Sequence, residues 1–145
     1  MTTTRRQILA TIAEQIPRAG ERRAPVRVGI DGVDGSGKTW FADELADVVR
    51  GCGKEVVRVS IDGFHRSRAE RYVKGARSPE GFYQDSYDYD RFRADVLDPP
   101  FGPPGRGRVY RHTAHDVATD AYLDVEPRRA GPRGDPARRW DLLAP

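Results

Sequence analysis

The sequence contains no asparagine and only one cysteine, Cys52, among its 145 residues. A lone cysteine cannot form an internal disulfide, which agrees with a reducing compartment. No apolar run approaches the ~20 residues of a membrane span, and charged residues make up 32% of the chain. The residues after Met1 also lack the apolar segment of a secretory signal. We therefore expect a cytoplasmic protein that does not contact membranes.

Length and charge indicate how many domains the chain forms and what kind of partner it binds. A chain of 145 residues allows one domain. Its net charge of +3 and pI near 9.2 at first favour a nucleic-acid partner. However, residues 1–62 hold 10 basic and 9 acidic side chains, residues 63–125 hold 10 of each, and residues 126–145 hold 5 and 3. The excess lies mostly in the last segment, so we predict no nucleic-acid partner.

The first half of the chain alternates helical and strand patterns. Residues 1–25 predict a helix capped by Thr3 or Thr4, followed by a polar connector from Pro17. Then come a strand over 26–31, a glycine-rich loop, a helix from Lys38 to about Gly51, and a strand over 55–62. This order predicts a βαβ unit with parallel strands and a right-handed crossover.

The second half carries weaker patterns. Residues 63–81 predict loop with short helix, and residues 90–97 predict two helical turns capped by Asp90. The Pro- and Gly-rich stretch 99–107 predicts a loop, and residues 109–110 and 122–125 predict short antiparallel strands. Residues 126–145 contain five Arg and four Pro without either periodicity, so we expect a disordered tail in which only Trp140, Leu142 and Leu143 could pack.

Residues 32–39, Gly-Val-Asp-Gly-Ser-Gly-Lys-Thr, match the P-loop pattern G-x-x-x-x-G-K-[ST] between a strand and a helix. Glycines let successive N–H groups approach a β-phosphate at the positive end of the helix. Lys38 would bridge the β- and γ-phosphates, and the Thr39 hydroxyl would ligate Mg²⁺. The predicted cofactors are ATP and Mg²⁺, with nucleotide-binding residues Gly32, Asp34, Gly35, Ser36, Gly37, Lys38 and Thr39.

Two further inferences concern the nucleotide and Asp62. Without asparagine, the Asn-Lys-x-Asp element by which GTPases read guanine cannot exist, which favours ATP. Asp62 follows the second strand, at the sheet edge where open α/β folds bind ligands. It could accept a proton from a substrate hydroxyl or hold Mg²⁺, or it could simply cap the turn at Gly63. Position alone leaves these alternatives open.

Residues 29–39 together with Asp62-Gly-Phe-His-Arg66 resemble the uridine kinase family of P-loop phosphotransferases. Looser likeness continues through residues 81–90, similar to the family's acidic F-D-x-P-x-A-F-D segment, and reaches Tyr110 and His115, whose spacing fits the family's Y-x-x-x-x-H. The resemblance covers about residues 26–125. It implies a three-layer α/β/α fold with a parallel sheet.

The resemblance also implies roles for individual residues. Asp62 and Lys38 would be catalytic, with Asp62 acting as base or as the group that orients a nucleoside 5′-hydroxyl, and Thr39 and Asp62 would hold the metal. The substrate would be a nucleoside such as uridine or cytidine. Its contacts would come from His65, Arg66, Asp85, Tyr110 and His115. For Tyr110 and His115 the alternatives are a half-buried aromatic and a surface histidine.

The sequence also departs from the family. Trp40 follows Thr39 where a second small residue is usual, so a large ring must find a pocket beside the P-loop. The family's further strand ending in F-[DE]-G and its Arg-rich lid have no counterpart in residues 126–145, whose composition is typical of a shifted GC-rich reading frame. We therefore expect an incomplete sheet with an open edge that favours self-association. The functional alternatives are an ATP-dependent kinase, a weakly active or inactive nucleotide-binding remnant, and a nucleic-acid-binding ATPase.

Overall fold

The computed structural model describes residues 4–16, 26–98 and 109–129, and the backbone of residues 140–144. The predicted connector after Pro17 and the Pro-rich loop 99–107 lie outside these ranges. Within them no helix is long and apolar enough to cross a membrane.

Helix α1 spans Arg5–Gln15 and begins with a capping box, in which the Thr4 side chain accepts from the Gln7 backbone N–H and the Gln7 side chain accepts from the Thr4 N–H. Each satisfies a donor that a helix start leaves free. The buried face of α1 packs against the following helix through Leu9, Ala13 and Ile16. The predicted first helix and its Thr4 cap are therefore confirmed.

Strand β1 (Val26–Gly29), helix α2 (Lys38–Gly51) and strand β2 (Val57–Ser60) follow in the predicted order. Ala42, Leu45, Ala46 and Val49 recur at helical spacing and form the buried side of α2. Both strands are shorter than the β-branched runs that predict them. Each strand ends where the chain turns into the candidate site.

The two strands are separated by one that comes from the end of the chain. Counting all strands in chain order, strand β7 (Trp140–Ala144) lies between β1 and β2 and pairs in parallel with both. A strand with neighbours on both sides takes an apolar run without alternation, which agrees with Leu142 and Leu143 being among the few apolar residues of the tail. For this segment, and for strand β6 (Arg128–Arg129), strands replace the disorder that composition predicts.

The region after β2 is built from short elements. A 3-10 helix spans Ile61–Phe64, and helices α3 (Arg68–Arg71), α4 (Pro79–Asp85) and α5 (Tyr89–Phe92) follow, the last continuing as a π-helix over Arg93–Leu97. Two antiparallel pairs complete the fold. They join β3 (Val109–Tyr110) to β6 and β4 (His115–Asp116) to β5 (Ala121–Tyr122).

The start of α5 differs from the prediction. Its N-cap is Asp88, whose side chain accepts from the Arg91 N–H at 2.9 Å, and Asp90 lies inside the first turn. An acidic residue stabilises either position through the helix dipole, so composition alone does not locate the boundary. Asp88 is fixed there because its own N–H donates to the Phe64 carbonyl at 2.8 Å.

Two apolar clusters position the candidate site between them. The first joins α1 to α2 around Leu45 and Val49, and the second joins β2 and the 3-10 helix to α5 around Phe64. The Phe64 ring is fully buried and meets Phe92 edge to face, with centroids 5.1 Å apart. Asp62 and Gly63 precede Phe64 in the 3-10 helix. The packing of Phe64 on Phe92 therefore holds them in place.

Candidate functional site

The glycine-rich loop has the conformation that its sequence requires. Gly35 and Gly37 adopt φ values of 75° and 83°, in the left-handed region that side chains disfavour. Gly37 is the N-cap of α2, and its carbonyl accepts the Phe41 N–H at 3.0 Å. The N–H groups of the first helical turn therefore face the loop, where they could donate hydrogen bonds to an anion.

The Lys38 ammonium lies over the loop. Its Nζ donates to the carbonyls of Gly32 at 2.7 Å and Val33 at 3.0 Å. The side chain is only 15% exposed, although Asp34, whose carboxylate lies 3.8 Å from Nζ, is almost fully exposed. Because the Asp34 carboxylate is in solvent and 3.8 Å away, this ion pair contributes little. The two carbonyls hold the cation beside the amides that would bind phosphate.

Asp62 lies in the 3-10 helix just after β2, and three neighbours fix it. The Ser60 hydroxyl accepts the Asp62 N–H at 3.2 Å and donates to Oδ2 at 3.1 Å. The Tyr87 hydroxyl donates to Oδ1 at 3.5 Å. The ring Nδ1 of His65 lies 2.8 Å from the Asp62 carbonyl. Both carboxylate oxygens therefore meet a neutral hydroxyl, and neither meets a cation within the described part of the chain.

Tyr87 stays a neutral donor at physiological pH. Desolvation, followed by the negative charges of Asp62 and Asp34, raises the pKa of Tyr87 to about 12. The ring lies 4.4 Å from the His65 ring, centroid to centroid. The backbone of Tyr87 forms an antiparallel bridge to His65, which brings the segment after α4 back beside Asp62.

The glycine-rich loop, Asp62 and Tyr87 surround one open cavity of about 540 Å³. All seven nucleotide-binding residues predicted from the sequence line it, and so does Asp62. The sequence predicts no role in the site for four other lining residues, Asp31, Trp40, Phe82 and Tyr87. The pocket expected for the Trp40 ring is not a buried one, because the residue is 75% exposed at the cavity wall. The sequence shows that residues 81–90 are rich in aromatic side chains. It does not show that this segment folds back to place Tyr87 beside Asp62.

The predicted substrate residues divide into two groups. His65 and Arg66 lie directly beside the site, and the Arg66 Nε donates to the Tyr87 carbonyl at 3.2 Å. Neither lines the cavity itself. Their contacts hold the segment that carries Tyr87 beside the site.

Asp85, Tyr110 and His115 are not brought to the cavity. The carboxylate of Asp85 pairs with Lys74 at 3.2 Å, and this contact raises the pKa of the lysine. Tyr110 is half-buried against the Phe64 cluster. His115 is 2% exposed and packs edge to face on Tyr122, with centroids 5.1 Å apart. Burial removes the His115 ring from a ligand in the cavity.

The donor set fits a magnesium–phosphate complex. Mg²⁺ takes oxygen ligands and usually binds through one or two carboxylates together with substrate phosphates and water. The Thr39 hydroxyl and the carboxylates of Asp31 and Asp62 all border the same cavity. Nowhere in the described ranges do three or more His, Cys, Asp or Glu side chains gather into a ready-made metal cage. Thr39 and Asp62 therefore fit the metal together with a bound nucleotide.

The order of β1, the glycine-rich loop, α2 and β2 is that of an α/β kinase-like fold. Comparison with solved structures agrees. The chain is similar to a structure described as a possible uridine kinase from Bacillus stearothermophilus, with 20% identity and a TM-score of 0.68, over 97% of this chain and 70% of that one. It is also similar to a protein provisionally described as a fructose transport system kinase of a Silicibacter species, with 20% identity and a TM-score of 0.60, over 94% of this chain and 62% of that one.

No protein-family model matches the chain, and no curated protein matches it either. The structural likeness confirms the α/β kinase-like fold that the resemblance implies. At 20% identity the likeness extends to the fold alone.

Proposed function

We propose that the protein transfers the γ-phosphate of ATP to the 5′-hydroxyl of a nucleoside such as uridine or cytidine. The observation that carries this proposal is one cavity lined by a complete P-loop and by Asp62. The reaction needs a phosphate donor and a hydroxyl acceptor in line. In this proposal the P-loop binds the donor and Asp62 receives the acceptor. In this proposal the chain follows the three-layer α/β/α plan and acts in the cytoplasm on a small molecule.

The P-loop binds the phosphates. Backbone amides at the start of α2 receive the β-phosphate, and Lys38 exchanges the carbonyls of Gly32 and Val33 for phosphate oxygens. Mg²⁺, when bound, neutralises charge on the β- and γ-oxygens. The Thr39 hydroxyl and the Asp62 carboxylate would hold it, Asp62 through water.

Asp62 orients the acceptor. In a loose phosphoryl-transfer transition state the position of the nucleophile matters more than early removal of its proton. The acceptor oxygen forms a bond to the γ-phosphorus as the bond to the ADP oxygen breaks, and the acceptor proton passes to the Asp62 carboxylate. Ser60 and Tyr87 hold that carboxylate at both oxygens, so its free lone pairs keep a fixed direction.

The test is a product assay on the purified full chain with Mg-ATP and uridine, cytidine or a hexose. Product formation that depends on Asp62 supports the proposal. Asp62→Asn should abolish it, and Asp90→Asn, which changes an exposed carboxylate outside the cavity, should leave it unchanged. A folded chain that forms no product with any acceptor would refute the kinase assignment, and product from the hexose alone would refute the nucleoside.

A second candidate is a nucleotide-binding chain with little or no turnover. Among the described residues, Lys38 is the one basic side chain that lines the cavity. An arginine contact to the transferring phosphate is worth roughly 10³–10⁵ in rate in related reactions. Binding of ATP without product in the same assay would favour this candidate over the kinase.

A further inference from the structure

Trp40 is a large apolar residue that lies at the surface rather than in the core. It occupies the first turn of α2, directly after the P-loop threonine, and its side chain is 75% exposed. A solvent-exposed indole leaves a large apolar surface in water. It lines two cavities, the one that contains Asp62 and a second one of about 440 Å³.

The second cavity differs from the first in chemistry. Both share Ser36, Gly37 and Lys38 of the P-loop. Only the second includes Arg5 and Phe41, and the Arg5 guanidinium lies 5.8 Å from the centre of the Phe41 ring. This cavity therefore combines aromatic surface with the guanidinium of Arg5, whose Nε donates to the Glu44 carboxylate at 2.5 Å. Neither Asp62 nor Tyr87 reaches it.

In-line transfer keeps the acceptor apart from the nucleoside of the donor. The attacking and leaving oxygens lie on opposite sides of the transferred phosphorus. If Asp62 receives the acceptor in the first cavity, the nucleoside of the donor needs another surface beside the P-loop. The second cavity lacks Asp62 and Tyr87 but shares Ser36, Gly37 and Lys38, so a triphosphate held by Lys38 can extend its nucleoside into it.

We propose that the second cavity binds the planar base of the donor nucleotide, stacked on the indole of Trp40. This inference rests on the proposed function and adds the site of the donor base to it. Stacking of a base on an aromatic side chain is worth roughly 5- to 150-fold in affinity, and it tolerates different bases because each has a π face. Arg5 lines the same cavity beside the Phe41 ring.

The test compares two ligands by calorimetry on the full chain with Mg²⁺ and without acceptor. ATP and inorganic tripolyphosphate share the phosphates, and only ATP has a base. We expect ATP to bind at least roughly fivefold more tightly. Trp40→Ala should remove that advantage and leave tripolyphosphate binding unchanged, which also shows that the variant is folded. Trp40→Phe should restore much of it.

Tyr83→Ala is the matched control, because Tyr83 is a 79% exposed aromatic residue that lines neither cavity. It should leave the affinity for both ligands unchanged. The inference is overturned if Trp40→Ala binds ATP as the parent chain does, or if Tyr83→Ala weakens ATP as much as Trp40→Ala does. If tripolyphosphate binds but ATP has no advantage over it, phosphate binding survives and the base site does not. If neither ligand binds, the proposed function fails as well.

Discussion

Replacing Gly63 by alanine tests how closely the Asp62 turn is fitted to the rest of the fold. A Cβ at Gly63 would lie 2.7 Å from Thr113 Oγ1, 3.0 Å from Thr113 Cβ and 3.1 Å from Thr113 Cα. Rotating the threonine side chain relieves only the first contact. The backbones cannot separate freely, because the Gly63 carbonyl accepts the Ala114 N–H at 2.7 Å and the Thr113 hydroxyl at 3.1 Å.

The cost follows from these contacts. Inserting a methyl group into a filled space typically destabilises a protein by about 1–3 kcal/mol. Here the chain must also stretch or lose two hydrogen bonds, each worth about 1 kcal/mol. We therefore expect Gly63→Ala to lower the free energy of unfolding by about 2–3 kcal/mol. Because Asp62 is its neighbour, product formation should fall as well while ATP affinity does not.

Urea unfolding followed by circular dichroism measures the effect, and Gly29→Ala is the matched control. Gly29 ends β1, and a Cβ added there would meet no atom within 4 Å at an ordinary φ. Gly29→Ala should leave the midpoint unchanged or slightly raised. Thr113→Gly removes the side-chain contacts, so Gly63→Ala should lower the free energy of unfolding by less in the Thr113→Gly background. An unchanged midpoint for Gly63→Ala would refute the close fit at Thr113.

Three further substitutions test the site and its support. Lys38→Ala should weaken ATP at least roughly tenfold by calorimetry, and unchanged affinity would contradict a phosphate role for Lys38. Tyr87→Phe should lower kcat by roughly 2- to 10-fold without changing KM for ATP, whereas Tyr89→Phe, 50% exposed and outside the cavity, should change neither; equal losses would argue against positioning by Tyr87. Hydrogen bonds from Ser67 and Tyr122 lower the pKa of Glu70 to about 2. The ionised form stabilises the fold above the unfolded pKa near 4.5, and that contribution is lost as pH falls from there towards 2. Glu70→Gln should therefore flatten the dependence of the urea midpoint on pH in this window, and an unaltered slope would assign the acid sensitivity elsewhere.

The site is predictable where its chemistry is local in the sequence. The P-loop is one continuous segment, so its glycines, Lys38 and Thr39 can be assigned from spacing alone. Asp62 can be placed at the sheet edge because it follows a strand. The contact of Asp62 with Tyr87 cannot be predicted in this way, because the two residues are 25 positions apart in the chain. A single backbone bridge between His65 and Tyr87 brings them together.

The remainder depends on pairing that local patterns do not encode. The tail carries no periodicity, yet Trp140–Ala144 pairs with two strands that are far away in the chain. A five-residue strand becomes stable only through those neighbours. His115 shows the converse, because a histidine at the spacing of a substrate contact is buried by a hairpin that turns at Asp120, the one described non-glycine residue with positive φ.

The middle strand also sets the scale of the site. Its register puts Leu143 beside Gly29 and Ala144 beside Ser60, so β1, β7 and β2 end at the same edge. Neighbouring strands lie about 4.8 Å apart, so the ends of β1 and β2, which lead into the P-loop and to Asp62, lie about 10 Å from each other. With β1 and β2 as direct neighbours, these ends would be only about 5 Å apart. In the proposed reaction this space would have to hold a phosphoryl group between the P-loop and Asp62. The pairing of Trp140–Ala144 therefore sets the spacing of the two strand ends from which the proposed catalytic groups emerge.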